Sequence, residues 1–338
     1  MSEATLPKFI SFRGHGEIDF SAPLLATEDL LYAFALPSDR ASVQALVDST
    51  LAAPSKGVVD YQVLGNYVLL LFQHCGHFTS PKKIGWAEDR ETAFMIPLIE
   101  KRPNSIHPVK LVLWMPYLMI DVGLGMVTGR DVWGYNKTLG TTTMPHSPDD
   151  PAVFNCQTLI FETFAFDTQA RVATLIEVAR ADAKPFGALT PTWSDGASAL
   201  KDIADALGPW SLNWLEDVEL AVDVLSLVLH RDVPVINLKQ MRDTEQTQLA
   251  ECQSLVEAML QVSEFTSAGL LDGSYTVKIL QCDSHQIAKD FGFPAANVAP
   301  GDFFSVPAKH AFWAKLGFNA AAGTTVWQAP GTCGSGQR

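Results

Sequence analysis

The sequence predicts a mainly β protein of the α+β class, an antiparallel sheet or barrel carrying one helical insertion. Two observations lead there. Up to about residue 166 the chain is a succession of short β-branched and aromatic runs with Pro and Gly at the joints, which favours antiparallel strands over βαβ units. Between residues 167 and 230 the apolar spacing changes to a helical period, and strand character returns after it. With 338 residues, 47% of them hydrophobic, the chain has ample material for a buried core.

The elements follow in order. Residues 58–63 and 67–72 are apolar runs joined by the turn pair Gly65-Asn66, the pattern of two strands. Residues 93–99 and 109–120 are two more, bounded by Arg102-Pro103-Asn104 and by Gly123, and residues 152–166 form another. Asp167-Thr168 can cap a helix whose Val172, Leu175, Ile176 and Ala179 share one face. A second helix is expected over 194–207, stopped by Gly208-Pro209, and a third over 215–230, with Val218, Val222, Leu225 and Leu229 at helical spacing. Strands are expected again at 233–241, 254–262 and 275–282. The expectation is one domain over 1–295 with its insertion at about 167–230. Residues 296–338 read as a C-terminal extension with a short helix over 308–316.

Composition narrows the function. Lys plus Arg total 24 against 37 Asp plus Glu, a formal charge of −13. Such a surface repels phosphate backbones and anionic headgroups, so neither nucleic acid nor membrane is an expected partner. No apolar run approaches the ~20 residues of a membrane-spanning helix. Residues 1–7 show no basic or apolar leader region, and a cytoplasmic location is expected. The five cysteines never form a CxxC, which favours reduced core thiols over a disulfide framework. His74 and His77 lack matching ligands nearby, and HEXXH and GxSxG are absent. Gly129 and Gly134 have phosphate-loop spacing, but Tyr135 stands where the loop needs Lys.

One segment does carry chemistry. Residues 121–140 place a single Lys137 at the end of a run rich in Gly, aromatic and apolar residues, with Arg130 the other base nearby. A free lysine is only ~0.04% neutral at pH 7. Burial among Trp133, Tyr135 and Leu139 penalises the ammonium form and yields an amine able to attack a carbonyl. A solvated loop lysine is the alternative that the residues alone leave open.

This segment, Gly129-Arg130-Asp131-Val132-Trp133-Gly134-Tyr135-Asn136-Lys137, resembles the Schiff-base motif of the acetoacetate decarboxylase family. Glu91, a few residues before Ile96-Pro97, matches the family's upstream acid, and residues 117–121 match a strand ending in Asp. Fainter likeness continues at Leu238-Lys239-Gln240 and at 277–280, so that the resemblance covers roughly residues 28–290 apart from the insertion. It implies a cone-like β-barrel, usually in a homo-oligomer, with no metal or organic cofactor required. By that resemblance Lys137 condenses with a keto acid or ketone and Glu91 is its acidic partner. Tyr135 and Met119 help to line the pocket, and Arg130 could engage the substrate or serve its own turn.

The chain departs from the family at two places. Asn136 and Thr138 flank Lys137 where the family has a second lysine, and Thr27-Glu28-Asp29-Leu30-Leu31-Tyr32 lacks the family's substrate-binding Arg. Three readings follow: a β-keto acid decarboxylase, an aldolase or dehydratase using the same imine, and a non-catalytic protein that binds a small ligand.

Overall fold

A computed structural model of the protein describes residues 8–10, 14–15, 20–81, 85–101, 109–150, 152–180, 192–193 and 232–330. The first long strand is β1 (Leu24–Pro37), followed by α1 (Arg40–Val47). Asp39 caps this helix by accepting from the Ser42 amide at 2.9 Å. The chain continues through a π-helical turn, Asp48–Ala52, into β2 (Asp60–Val63). The Gly65-Asn66 turn, with Gly65 at φ +77°, leads to β3 (Tyr67–Thr79), then β4 (Trp86–Lys101) and β5 (Val109–Ile120). A short helix α2 (Gly123–Thr128) enters a π-helical turn, Gly129–Trp133, ahead of β6 (Lys137–Thr143). Next come β7 (Phe154–Ile160), β8 (Arg171–Arg180), β9 (Thr192–Trp193), β10 (Asp232–Arg242) and β11 (Ala250–Leu270). The remaining elements are β12 (Tyr275–Leu280), α3 (Ile287–Phe291), β13 (Phe303–Pro307), β14 (His310–Ala320) and β15 (Thr324–Gln328).

Among the described residues the pairing runs β4-β5-β10-β11-β14-β1-β3 and returns to β4, closing a ring of strands. A second sheet, β6-β7-β8-β12-β13, leaves the ring at β5. All pairings are antiparallel except β5–β10 and β5–β6, which are parallel. On the edge away from β4, β5 meets β10 at Leu113 and β6 at 118–120. Pro116 stands between these stretches, where a missing N–H breaks no ladder.

The period of two divides the ring residues between two cores. Ala33, Ala35, Leu69, Leu71, Ala93, Leu118, Val235 and Ala258 fill the inner face. The opposite face of the same strands, with Phe34, Phe72 and Phe94, packs on Phe154, Ile176 and Val277 of the second sheet. Phe34 meets Phe154 edge-on at 5.1 Å and Tyr275 at 5.4 Å, so one ring holds β1 to both β7 and β12.

Several expectations change. The helix expected over residues 167–179 is strand β8, paired on both sides. Its Val172, Thr174, Ile176 and Val178 are β-branched, and pairing on two edges outweighs a helical spacing of four apolar residues. The helices expected over 194–207 and 215–230 lie outside the described residues. The short helix expected over 308–316 is strand β14, where Ala311 and Trp313 are buried in alternation. Far from being an appendage, this part of the 296–338 segment lies between β1 and β11. Cys75, Cys156 and Cys282 are free and buried as expected, whereas Cys252 is disulfide-bonded. No described helix is long and apolar enough to cross a membrane.

Phe34 is fully buried at the junction of ring and second sheet. Phe34→Ala is expected to lower the unfolding free energy by about 3–5 kcal/mol, read from the urea midpoint at constant slope.

Candidate active site

The α2 helix and its π turn end at Gly134, which has φ +80°. The Tyr135 amide donates back to Gly129 O at 3.1 Å and the Gly134 amide to Arg130 O at 3.1 Å, closing the turn with a left-handed glycine. A Cβ at Gly134 would come within 2.6 Å of the Lys239 backbone, so only glycine lets the turn seat against β10. Trp133 Nε1 donates to Ala321 O at 2.8 Å, and Asn136 Nδ2 to Pro116 O at 3.0 Å. These bonds pin the segment where β5 exchanges β10 for β6, and Lys137 is the first residue of β6.

From there the Lys137 side chain runs back across Gly129. A Cβ on Gly129 would lie 2.8 Å from both Cδ and Cε of Lys137, so the glycine forms the floor of the lysine's channel. Nζ donates to Glu91 Oε1 and lies 5.6 Å from the Tyr135 ring centroid. The two side chains are only 11% and 16% exposed, which makes this a largely desolvated ion pair. Glu91 is paired across the ladder with Ile120, and Lys137 with Leu118, both inner-face residues.

Tyr135 is buried, and burial followed by the Glu91 charge raises its phenol above the ordinary range. Arg130 is exposed, and its guanidinium donates to Lys137 O at 3.0 Å, tying it to the turn. Tyr135 and Arg130 also line a cavity of about 310 Å³ with Tyr117, Asn136, Asn237 and Asp290; neither Lys137 nor Glu91 is among its lining residues. Met119 does not join the lysine. It packs in the outer core with Phe94 and Cys156, because it sits one residue out of phase with Leu118 and Ile120.

The structure adds acids that the sequence reading did not pick out as a group. Asp89 lies two residues before Glu91 on β4 and is buried. Its carboxyl is pushed up to about 8, first by burial and then by Glu91, against the opposing charge of Lys137. Asp29 on β1 is buried, and burial raises it well above the usual carboxylate range. Asp121, at the end of β5, is raised by burial while Arg90 opposes the shift. It accepts from the Arg90 amide at 2.8 Å, with the Arg90 guanidinium 3.9 Å away. Spacing two apart on a strand was the one signal in the sequence, and it linked only Asp89 to Glu91. No group of His, Cys, Asp and Glu among the described residues has the arrangement to hold a metal ion. His77 stacks on Trp86 at 4.8 Å, and His74 faces Glu88 at 3.5 Å.

No family model and no curated protein matches this sequence. Solved structures do match its shape. An acetoacetate decarboxylase from Legionella pneumophila is similar over 97% of this chain and 94% of its own, with 12% identity and a TM-score of 0.56. The fold is that of the acetoacetate decarboxylases. A second acetoacetate decarboxylase structure covers 96% of this chain and 97% of its own, at 10% identity and TM-score 0.56. An acetoacetate decarboxylase-like enzyme from Sphingomonas wittichii RW1 is 13% identical over 94% of this chain and 98% of its own, with a TM-score of 0.51.

Two outcomes are expected from this geometry. Folded Asp89 keeps a proton that the unfolded chain releases, so its contribution to stability is complete below about pH 4 and is lost as pH rises through about 8. Asp89→Asn should therefore lose less stability than the parent between about pH 5 and about pH 8.5, measured by urea unfolding at both. Gly129→Ala pushes on the flexible end of Lys137 rather than on backbone. It should leave stability within about 1 kcal/mol while slowing capture of a ketone by Lys137 about tenfold, followed by mass spectrometry of reduced adducts.

Proposed function

We propose that this protein is a Schiff-base enzyme of the acetoacetate decarboxylase type, with Lys137 as the amine and Glu91 as its acid–base partner. The observation that carries the reading is the desolvated Lys137–Glu91 pair on the inner face of the strand ring. We read that ring as the cone-like barrel of these enzymes, in a homo-oligomer. The exposed row Leu139, Leu159 and Val172 across β6, β7 and β8 offers an apolar surface for assembly.

In the leading form of the proposal the substrate is a β-keto acid. Glu91 takes a proton from the Lys137 ammonium, and the free amine adds to the ketone carbon. Loss of the carbonyl oxygen as water leaves a protonated imine. The electron pair of the bond to the carboxylate carbon then flows to the imine nitrogen as CO2 departs. The resulting enamine takes a proton at carbon, and water releases the ketone product and restores the amine.

A second form keeps the imine and dispenses with decarboxylation, as in aldol cleavage, aldol condensation or dehydration. The acidic surroundings of Lys137 favour it, since Arg130 is occupied by Lys137 O and Arg90 lies beside Asp121. Incubation with keto acids and ketones under borohydride, followed by peptide mass spectrometry, tests both forms. The expected result is a reduced adduct on Lys137 that is absent from Lys137→Ala and at least tenfold slower to form in Glu91→Gln. CO2 release separates the first form from the second. A folded protein that traps no carbonyl compound would leave only ligand binding.

A further inference from the structure

Asp29 has one oxygen committed and one free. Gln73 Nε2 donates to Oδ2 at 2.9 Å, whereas Oδ1 is fully buried without a hydrogen-bond partner among the described residues. The residue itself is 2% exposed. Its place in the ladder sets its direction. Asp29 pairs with Cys75, Cys75 pairs with Asp89, and Gln73 pairs with Glu91, so these side chains share a face with Leu31 and Ala33 and lie within electrostatic reach of Glu91. A buried carboxyl oxygen with no partner carries a desolvation cost that a bound polar group relieves.

What that group can be is limited by the charges around it. A substrate carboxylate would meet the Glu91 carboxylate beside the carboxyl groups of Asp29 and Asp89, with both neighbouring guanidinium groups already engaged. A hydroxyl both donates and accepts, and so completes Asp29 whether or not the acid holds its proton. We propose that Asp29 is a specificity-determining residue that selects an uncharged, hydroxyl-bearing ketone or aldehyde over a keto acid for condensation with Lys137. This rests on the Schiff-base reading and sharpens its second form.

The test uses three matched ketones: 4-hydroxy-2-butanone, 2-butanone and acetoacetate. Each is trapped on the full chain with borohydride, which delivers hydride to the imine carbon, and all adducts on the Lys137 peptide are summed. The parent protein should be labelled at least tenfold faster by the hydroxyketone than by 2-butanone or acetoacetate. Asp29→Ala should bring the hydroxyketone to within threefold of 2-butanone. Asp29→Asn, which can still accept from Gln73 and serve a hydroxyl, should retain most of the preference. Labelling by acetoacetate at least as fast as by the hydroxyketone, or a preference that survives in Asp29→Ala, overturns the role of Asp29 alone. Absence of any Lys137 adduct from all three overturns the Schiff-base reading and this inference with it.

Discussion

The Lys137–Glu91 ion pair is the contact on which the rest of the site depends. An ion pair this far from water is maintained only when its surroundings fix both partners. Glu91 is fixed by its place in β4, between β3 and β5. Lys137 is fixed by the start of β6 and by the bare Gly129 surface over which its chain passes. The turn in between is anchored independently, through Trp133 to Ala321 and Asn136 to Pro116. Each feature of the 129–137 segment therefore serves one end: to deliver an amine onto the inner face beside an acid.

Around this pair the site is acidic, and several of its carboxyl groups are withdrawn from water. Asp29, Asp89 and Asp121 are all displaced toward their protonated forms by desolvation. A carboxyl group that keeps its proton, as Asp89 does below about pH 8, can donate as well as accept, which a carboxylate cannot. The same displacement makes the fold sensitive to alkali, because every proton surrendered there adds a buried negative charge near Glu91. The arrangement differs from a simple anion site, since Arg130 donates to Lys137 O and Arg90 lies beside Asp121.

Much of this was legible in the sequence where the signal was local. Strands β3 and β5 stood out as apolar runs ended by turn residues, and Lys137 and Glu91, singled out by a resemblance, are side chains that the fold brings together. Signals that depend on pairing were not legible. Residues 167–179 read as helix because a few apolar residues fell at helical spacing, and 308–316 as a short helix, yet the strands there, β8 and β14, are held by partners on two sides. Met119 looked like a lining residue until the ladder placed it in the outer core. Asp29 and Asp89 lie sixty residues apart and meet only because β3 sits between their strands.

The most direct measurement is a crystal structure of the protein after borohydride reduction in the presence of a ketone that labels it. Continuous density is expected from Lys137 Nζ into the inner face of the ring, with the adduct in contact with Glu91 and bounded by Tyr135 and Asp29. A Lys137 side chain that points out to solvent, or an adduct carried by another lysine while Glu91 and Lys137 remain paired, would contradict it.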